Sequence, residues 1–574
     1  MAFDTISLSD FPSKYRHAQD VDKKHPYVEQ NYGLFRLPVA GFSDRSAIYI
    51  PQGIELSSRS VTILLPNNTD FIAFLFQSGW KQLADRERIV LFLGCGEKGE
   101  WDDNFGSSEE AFLDALRDSI NSRIHFDVQP YFAYLVGYEK GASIALKYLM
   151  KKPMSYIGFA AVGTFSFDGS VDIMAYKASP ALPYVAAVDV PIPAYFFSNT
   201  RNNDLENAVC HFKKRNNTSS VGMKKEKLTS YFAQQRPCHD TINGDQSADV
   251  FIEIDPEAKL IGLSTTQKVW NCLSRSIRVS GIGFGSLHQY RTLKDWGLVR
   301  HEMTIDGWCR HWFEYIPKRN ISRNEKRPLL IFLHGSSLTA GSGIYGPEWM
   351  NVAESRDFIA VFPTGSLSSQ DPGIAEPITS WNTNHLDNQM DDEKFILSII
   401  DSIIERENID ETRIYLCGHS LGSVMAQRMA MAYPERFAAV ACNAGVIGGG
   451  ILAAGSYSAP GIRTDIKIPI WIQIGERDMG GADLDQNSIA RKNVCYWLER
   501  IGSPSLENAL VHDLGRYKTK VWETDGVPML VYTETYEKMH TIMPQDAWFY
   551  YDMFLSKYSR REDGSLMYMN KIVK

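Results

Sequence analysis

The sequence contains few cysteines and no pattern of an export signal. Only eight cysteines occur among 574 residues, and several of them, such as Cys417 and Cys442, lie within apolar strand-like runs. We therefore expect buried free thiols in a reducing compartment, which predicts a cytoplasmic location. Residues 1–20 lack a basic start followed by an apolar stretch, so no signal peptide is expected.

The charges and the apolar residues argue against several classes of partner. The net charge is −8 and no long run of one sign occurs, which disfavours nucleic acid or an anionic membrane as the main partner. No window is long and apolar enough for a membrane helix. No cysteine or histidine cluster has metal-ligand spacing; the nearest, PCHD at residues 237–240, is interpreted as a surface loop, so neither metal nor cofactor is expected.

Two similar segments occur in the sequence. Residues 133–156 (AYLVGYEKGASIALKYLMKKPMSY) and residues 414–437 (IYLCGHSLGSVMAQRMAMAYPERF) each predict a strand, a G-x-x-x-G turn and a helix that ends near a proline. The first turn has Glu139 at its centre and the second has Ser420. A repeat of this kind, with a period of about 270 residues, predicts two copies of one fold.

The flanking residues repeat in the same order. Trp101 precedes the helical pattern EEAFLDALRDSI as Trp381 precedes DDEKFILSIIDSI, and SVTILLPNNTD in the first half corresponds to PLLIFLHGSSL in the second. Apolar runs alternate with segments of helical period, which is typical of a mainly parallel sheet with helices on both faces. We therefore predict two α/β domains, residues 1–280 and 300–574, joined near residues 275–300.

Ser420 is the candidate nucleophile of the second half. A lone G-x-S-x-G motif is weak evidence, but here a strand-like run ends at Cys417 and a helix pattern follows, which is the setting of a nucleophile elbow. Gly418 and Gly422 permit a tight turn and close packing of the helix on the strand. The Ser420 hydroxyl would lie at a helix N-terminus, where the backbone dipole favours developing negative charge. The alternative is an ordinary β–α turn.

A serine nucleophile needs a base, and the base needs an orienting acid, expected here in the order serine, acid, histidine. Asp478 follows the strand-like run PIWIQIG, and the nearby Glu476 is the alternative acid. Two histidines follow. His540 comes after the strand-like MLVYTET and before an amphipathic helix, which is the expected place for the base. His512 precedes that strand and is interpreted as a surface residue.

Two backbone N–H groups are expected to stabilise the oxyanion of an acyl-transfer reaction. One belongs to Leu421, the residue after the nucleophile. The other is assigned to Ser336, because the strand-like LLIFL is followed by His334-Gly335 and then by this serine. A plain turn is the alternative for His334-Gly335 alone.

These motifs occur together in one order. RPLLIFLHGSS, SWN, DDEKFILSIID, IYLCGHSLGS and GERD, over about residues 300–560, resemble the α/β-hydrolase esterases grouped with polyhydroxybutyrate depolymerases and feruloyl esterases. The resemblance implies an eight-stranded α/β-hydrolase domain and a serine-esterase mechanism. It assigns the catalytic triad to Ser420, Asp478 and His540, and the oxyanion hole to Ser336 and Leu421.

The resemblance also implies something about the substrate. In that family the Trp-Asn segment lies near the acyl pocket, so Trp381 is a candidate for substrate contact, with a buried core tryptophan as the alternative. His419 and Ser337 are further candidates. Many relatives have cysteine where this chain has Ser336, and many are secreted. Because no export signal or polymer-binding module is recognised, a small soluble ester or an intracellular oligomer is the expected substrate.

The first half resembles the same fold with its chemical groups replaced, so the chain is predicted to carry tandem α/β-hydrolase folds. Glu139 stands at the nucleophile position, LLPNNTD replaces FLHGSSL, and Thr200 falls at the position of Asp478. No histidine occurs at the base position near residues 251–273. The first half is therefore expected to be a degenerate, non-catalytic domain that serves as scaffold, lid or oligomerisation element, with an independent binding module as the alternative.

Other functions are left open by the sequence. A peptidase of the prolyl-oligopeptidase kind also pairs an N-terminal domain with a hydrolase, but no propeller-blade repeat occurs here. An acyltransferase uses the same triad. A non-catalytic binding protein built from two degenerate folds is the alternative from another class, and homo-oligomerisation is left open.

Overall fold

The computed structural model describes residues 6, 12–15, 22–25, 31–42, 44–54, 58–102, 107–120, 128–168, 176–178, 185–234, 247–279, 285–318, 325–368, 378–383, 389–447, 461–502 and 505–573. The chain divides into two compact units, which consist mainly of Tyr27–Val279 and Arg291–Lys574. The division falls in the region predicted to connect two domains. The assignment of a degenerate domain to residues 1–280 and of a catalytic domain to residues 300–574 stays a prediction.

The first unit contains a ten-stranded sheet with the order β1-β2-β4-β3-β5-β6-β7-β10-β9-β8. A separate hairpin, β11–β12, follows it in the chain. The strands are β1 Gly33–Arg36, β2 Ser46–Ile50, β3 Ser58–Leu64, β4 Val90–Gly94, β5 Val128–Tyr138, β6 Phe159–Val162, β7 Ala194–Ser198, β8 Met223–Lys225, β9 Leu228–Tyr231, β10 Val250–Ile254, β11 Ser276–Val279 and β12 Ser286–Gln289.

The second unit contains another ten-stranded sheet, with the order β13-β14-β16-β15-β19-β20-β21-β24-β23-β22. When the small hairpin β17–β18 is set aside, this order is the same as in the first unit. The strands are β13 Val299–Ile305, β14 Trp308–Tyr315, β15 Arg327–Leu333, β16 Ile359–Pro363, β17 Ser366–Ser368, β18 Ile378–Ser380, β19 Ile409–His419, β20 Ala439–Asn443, β21 Ile470–Gly475, β22 Leu510–Leu514, β23 Tyr517–Thr524, β24 Val527–Thr535, β25 Tyr558–Arg560, β26 Leu566–Tyr568 and β27 Lys571–Ile572.

Both large sheets are parallel in the centre and antiparallel at the two ends. In the second unit the strands from β16 to β24 pair in parallel, whereas β13–β14 and β23–β22 form antiparallel edges. The predicted α/β class is confirmed. The expected count of eight strands is wrong. The hairpin β22–β23 precedes the last parallel strand, β24, in the chain and extends the sheet to ten strands.

Helices connect the parallel strands. In the helix Asp392–Arg406, apolar residues recur at three- and four-residue steps, and the Asp391 carboxylate caps the first turn by accepting the Lys394 N–H at 2.9 Å. The described α-helices are Phe71–Gln77, Trp80–Glu87, Ser107–Ser119, Lys140–Lys151, Asn203–Arg215, Leu263–Leu273, Leu293–Trp296, Ala340–Tyr345, Trp349–Arg356, Asp392–Arg406, Leu421–Ala432, Ile489–Ile501 and Asp546–Trp548.

The core of the second unit surrounds its parallel strands. Side chains of β15 on both faces, such as Leu330 and Ile331, have no exposed surface. Complete burial of one such side chain stabilises the fold by about 1.5–3 kcal/mol. The apolar runs that predicted strands therefore form the centre of the sheet, and polar residues collect where these strands end.

Some features that bear on partners can be checked in the described residues. None of their helices is long and apolar enough to cross a membrane. In the same part of the chain, no group of three or more histidine, cysteine or acidic side chains could hold a metal ion. Cys417 and Cys442 are buried free thiols. The PCHD segment at residues 237–240 lies outside the described residues.

Candidate active site

Ser420 lies in a strained turn between strand β19 and the helix Leu421–Ala432. Its backbone angles are φ 54° and ψ −121°, a conformation that costs a non-glycine residue on the order of 1–3 kcal/mol. Close packing holds the turn: a Cβ on Gly422 would lie 2.1 Å from the Leu333 carbonyl oxygen. The Ser420 N–H also donates to the Asn443 carbonyl at 2.8 Å. This is the geometry of a nucleophile elbow, which presents the hydroxyl at the end of the sheet.

The three side chains predicted to form a triad lie within hydrogen-bond distance of one another. His540 Nε2 is 2.8 Å from Ser420 Oγ, and His540 Nδ1 is 2.6 Å from Asp478 Oδ1. The Asp478 side chain is only 4% exposed, and its Oδ1 also accepts the Met479 N–H at 2.6 Å. A carboxylate at Nδ1 favours the tautomer that carries its proton there, so Nε2 can accept the serine proton.

The alternative acid and base lie elsewhere. Glu476 is exposed, and its Oε2 accepts the Glu537 N–H at 2.9 Å. His512 is exposed on the edge strand β22, where it pairs with Thr519 of β23. The arrangement of side chains therefore favours Asp478 and His540 over these alternatives.

The two predicted oxyanion donors face the same cavity as the nucleophile. Ser336 and Leu421 both line it together with Ser420 and His540. Neither backbone N–H has a hydrogen-bond acceptor among the described residues. The loop comes close to the nucleophile because residue 335 is glycine: a Cβ there would lie 3.0 Å from Ser420 Cβ. Two N–H groups are thus left to bind a developing negative charge.

Buried side chains fix the loop that carries Ser336. His334 Nε2 accepts the Gly365 N–H at 2.8 Å, so its proton resides on Nδ1, which lies 2.7 Å from the Gly335 carbonyl oxygen. The indole N–H of Trp381 donates to the His334 carbonyl at 2.7 Å. Trp381 is fully buried. Its indole therefore supports the oxyanion loop from the core.

Three residues suggested from the sequence as substrate contacts lie outside the described lining of the cavity, and their contact with substrate stays a prediction. Trp381, His419 and Ser337 are not among the described residues that line the cavity. His419 is buried beside the His540 ring, with 5.3 Å between ring centroids, and burial lowers its pKa well below the ordinary value. The Ser337 N–H donates to the Thr379 carbonyl at 2.7 Å. Side-chain direction, which sequence does not show, separates these residues from the lining.

The cavity beside Ser420 is small and mainly apolar. Its volume is about 320 Å³, near the low end of ligand pockets, which span roughly 300–1,000 Å³. The lining residues are Ser336, Ser420, Leu421, Val424, Ala444, Gly445, Val446, Ile474, Asp478, Met479, Gly480, Gly481, Ile489, Ala490 and His540. The described lining contains no basic side chain other than His540, which suits an uncharged group next to the nucleophile.

A buried polar network behind the triad was not predicted from the sequence. Asn443, Gln473, Lys538 and Asp546 are each at most 1% exposed. Asn443 ends the otherwise apolar strand β20, and Gln473 is the one polar side chain within β21. The sequence does contain this signal. The burial of Lys538 has no comparable signal, because an isolated lysine in a loop is normally exposed.

Comparison with known proteins relates the second unit to an esterase family. Residues 313–465 match the family model described as "Esterase PHB depolymerase". Feruloyl esterase B of Neurospora crassa is 28% identical over 134 residues, and acetylxylan esterase A of Emericella nidulans is 30% identical over 139 residues. These stretches cover 23% and 24% of this chain and 43% of each relative. The predicted resemblance is confirmed for this part of the chain.

Solved structures of similar proteins include esterases too. An acetyl xylan esterase from Aspergillus awamori aligns over 45% of this chain and 99% of its own, with a TM-score of 0.34 and 16% identity. A CE1 ferulic acid esterase from Anaeromyces mucronatus aligns over 44% of this chain and 87% of its own, with a TM-score of 0.29 and 16% identity. The chain spans less than half the length of the curated relatives that it matches. The family match includes Ser336 and Ser420 but ends before Asp478 and His540.

Proposed function

We propose that the chain is a serine carboxylic-ester hydrolase with the triad Ser420, His540 and Asp478. The observation that carries this proposal is the pair of hydrogen bonds at His540, 2.8 Å to the serine hydroxyl and 2.6 Å to the carboxylate. The similarity of residues 313–465 to the esterase family supports an ester as the substrate class.

In the proposed reaction, His540 Nε2 takes the proton from Ser420 Oγ as this oxygen attacks the ester carbonyl carbon. The carbonyl oxygen becomes an oxyanion that the N–H groups of Ser336 and Leu421 bind. When the tetrahedral intermediate collapses, the alcohol leaves with the proton from His540 and an acyl-enzyme remains. A water molecule deprotonated by His540 then attacks the acyl carbon. When this second intermediate collapses, His540 returns the proton to Ser420 Oγ and the acid is released.

The other groups lower the barrier without reacting. Asp478 orients the imidazole of His540 and stabilises the imidazolium that forms in each half of the reaction. Each oxyanion donor contributes about 2.7–4 kcal/mol of transition-state stabilisation in sites of this kind. Because the loop around Gly335 and the elbow at Ser420 are already packed in place, these donors need little reorganisation when the substrate binds.

The proposed substrates are small soluble esters of the aryl, feruloyl or hydroxyacyl type. The cavity next to Ser420 is about 320 Å³ and apolar, which fits a short or flat uncharged group. The relatives named above are a feruloyl esterase and an acetylxylan esterase. A cytoplasmic location, homo-oligomerisation, and a role of the first unit as scaffold or lid stay predictions.

Hydrolysis of a panel of esters by the purified full chain tests this function. The panel contains p-nitrophenyl acetate to octanoate, methyl ferulate and 3-hydroxybutyrate oligomers. Ser420→Ala removes the nucleophile, and its kcat is expected to fall by on the order of 10⁶-fold. Ser355→Ala, at an exposed helical serine, serves as the control and is expected to leave the rate unchanged. A Ser420→Ala variant with a tenth of the original rate would contradict the proposal.

A further inference from the structure

Lys538 is buried beneath the loops that carry the triad. Its side chain is 0% exposed and lies two residues before His540. Its Nζ donates to Asn443 Oδ1 at 3.1 Å. Burial lowers the pKa of Lys538, and the negative charges of Asp546 and Asp478 oppose this shift. Since a buried ammonium costs several kcal/mol in desolvation, a lysine at this position destabilises the fold unless its contacts compensate.

Lys538 contacts the acid loop directly and the nucleophile elbow through one residue. Its carbonyl oxygen accepts the Arg477 N–H at 2.9 Å, next to Asp478. Its ammonium group binds the Asn443 side chain, and the carbonyl of Asn443 accepts the Ser420 N–H at 2.8 Å. The backbone carbonyl of Lys538 thereby connects the base loop to the acid loop, and its side chain connects the base loop to the elbow through Asn443.

Further polar groups complete the network around Asn443. Asn443 Nδ2 lies 2.9 Å from Asp546 Oδ2 and 2.8 Å from the Tyr550 hydroxyl oxygen. Gln473 Nε2 donates to Asp546 Oδ1 at 3.1 Å, and the Tyr550 hydroxyl donates to Gln473 Oε1 at 2.5 Å. Asp546 also accepts the Met543 N–H at 2.8 Å, which fixes the start of the last helix. The Asn443 amide is therefore held in one orientation, with its oxygen towards the lysine.

The first unit has the same sheet without this network. Val162 pairs with the residue before the first elbow, as Asn443 pairs with the residue before the second. Val162 then pairs with Phe197 on the next strand, as Asn443 pairs with Gln473. Valine and phenylalanine thus occupy the positions of asparagine and glutamine. A sheet of this topology forms with apolar residues at both positions, so the polar network serves something other than the fold.

We propose that Lys538 is a positioning residue for ester hydrolysis. Its ammonium group holds Asn443 at the end of β20, whose carbonyl binds the elbow N–H, against the loop that carries His540. This contact fixes the distance between His540 Nε2 and Ser420 Oγ. The inference rests on the proposed function. Lys538 does not line the cavity, so it acts through the two catalytic residues and not on the substrate. A displacement of reacting groups by about 1 Å can cost about 10²-fold in rate.

Lys538→Met tests this role, because methionine is unbranched and only one atom shorter than lysine, and it removes the charge and the donor groups. The rate is expressed per active site, with sites counted by complete labelling with a fluorophosphonate. We expect kcat per site to fall by about 10- to 100-fold, with KM changed less than about threefold. Lys518→Met, at an exposed lysine of β23, is the matched control and is expected to leave both constants unchanged.

Asn443→Val is the second variant and introduces the residue that the first unit has at this position. It removes the acceptor of the lysine together with the amide donor to Asp546 and Tyr550. It keeps the backbone carbonyl that binds the Ser420 N–H and changes no residue of the base loop. We expect a similar loss of kcat per site. The double variant Lys538→Met/Asn443→Val should lose no more than about twofold beyond Asn443→Val alone, because Asn443→Val already removes the contact that Lys538→Met removes.

The outcomes separate a positioning role from a structural one. If both variants fold and keep kcat per site within twofold of the parent, or if only their melting temperature falls, the inference is wrong. Losses that multiply in the double variant would contradict it as well. If Lys538→Met does not fold, the kcat per active site of Asn443→Val decides between the two roles. A parent chain that neither hydrolyses esters nor is labelled at Ser420 would instead overturn the proposed function.

Discussion

The two units of this chain have the same sheet and differ in the groups placed at its end. Their elbow residues have nearly the same backbone angles, φ 47° and ψ −113° for Glu139 and φ 54° and ψ −121° for Ser420. Each elbow N–H donates at 2.8 Å to the neighbouring strand, from Glu139 to Val162 and from Ser420 to Asn443. The strained turn therefore belongs to the fold, because the first unit keeps it without a nucleophilic serine.

Both units also share a hydrogen bond that holds the loop after an equivalent strand, β3 in the first unit and β15 in the second. The Trp101 indole donates to the Leu65 carbonyl at 2.7 Å, as the Trp381 indole donates to the His334 carbonyl at 2.7 Å. Leu65 and His334 each follow the strand residue that pairs with the elbow glycine, so they occupy equivalent positions. A tryptophan that keeps this bond in both units is part of the scaffold, which agrees with the burial of Trp381.

The chemical groups of the second unit are replaced in the first. Strand pairing makes Ser198 and Ile254 of the first unit equivalent to Ile474 and Glu534 of the second. Counted from these pairs, Leu260 takes the position of His540 and Asn202 that of Asp478. The Asn202 side chain caps a helix by accepting the Leu205 N–H at 2.8 Å. Neither residue can act as a base or as an orienting acid.

The largest loss of activity should follow when His540, the proposed base, is replaced by leucine, the residue at the equivalent position of the first unit. We expect His540→Leu to lower kcat by on the order of 10⁶-fold, the loss seen when a triad histidine is removed. The converse change, Leu260→His in the first unit of that variant, should restore nothing, because Glu139 and Asn202 supply neither nucleophile nor acid. Steady-state kinetics on p-nitrophenyl acetate measures both, and recovery in the double variant would show that the first unit has a catalytic site.

The next effect concerns the acid. Asp478→Asn is expected to lower kcat by about 10⁴-fold, because the amide favours the wrong tautomer of His540 while the geometry is kept. Glu476→Gln, two residues away, is the matched control and should change kcat less than about twofold. A large loss in the control with a small loss in Asp478→Asn would assign the acid to Glu476.

The sequence predicts those side chains of the site that follow strand ends in a fixed chain order. It does not predict the side chains whose position depends on packing. Ser420, Asp478 and His540 follow strand ends, so their proximity could be expected. The sequence alignment puts Thr200 at the acid position, whereas strand pairing puts Asn202 there. Apolar strands can be aligned in more than one register, so sequence alone does not fix this position. The burial of Lys538 could not be predicted, because a loop lysine carries no sign of what surrounds it.

A smaller effect concerns acid stability in each unit. Burial lowers the pKa of His311 in the second unit to about 3 and that of His211 in the first to about 4. Below about pH 6.5 each of these imidazoles takes up a proton in the unfolded chain but stays neutral in the folded chain. The free energy of unfolding that each neutral imidazole contributes is therefore fully present above pH 6.5 and is lost as the pH falls towards the lowered pKa. Each histidine should contribute a loss of about 2 kcal/mol between pH 7.5 and 5.0.

Hydrogen exchange followed by mass spectrometry measures this loss in each unit separately. His311→Phe should reduce the acid-induced loss of protection in the second unit only, and His211→Phe in the first unit only. If neither variant changes the pH dependence, the two imidazoles are protonated in the folded state and the assignment of their neutral form is wrong.

The smallest effect concerns the elbow strain that the two units share. Replacement by glycine removes the strain of the positive φ, which costs on the order of 1–3 kcal/mol. It also makes the unfolded chain more flexible, which lowers the free energy of unfolding by about 0.5–1 kcal/mol. Glu139→Gly and Ser420→Gly should therefore each stabilise their own unit by about 1 kcal/mol. Exchange protection provides the measurement, and Ser355→Gly, at an exposed position of the helix Trp349–Arg356, should destabilise instead. Stabilisation at one elbow only would show that the two turns are not equally strained.

The most direct test of the account is to label the intact parent chain with a fluorophosphonate while ester hydrolysis is followed. We expect one label per chain, located by mass spectrometry on the peptide that contains Ser420, and loss of hydrolysis in proportion to labelling. The first unit, with Glu139 at its elbow, should carry none. Hydrolysis that persists after Ser420 is fully labelled, or a label on the first unit that abolishes activity, would contradict the claim that only the second copy of the fold performs the chemistry.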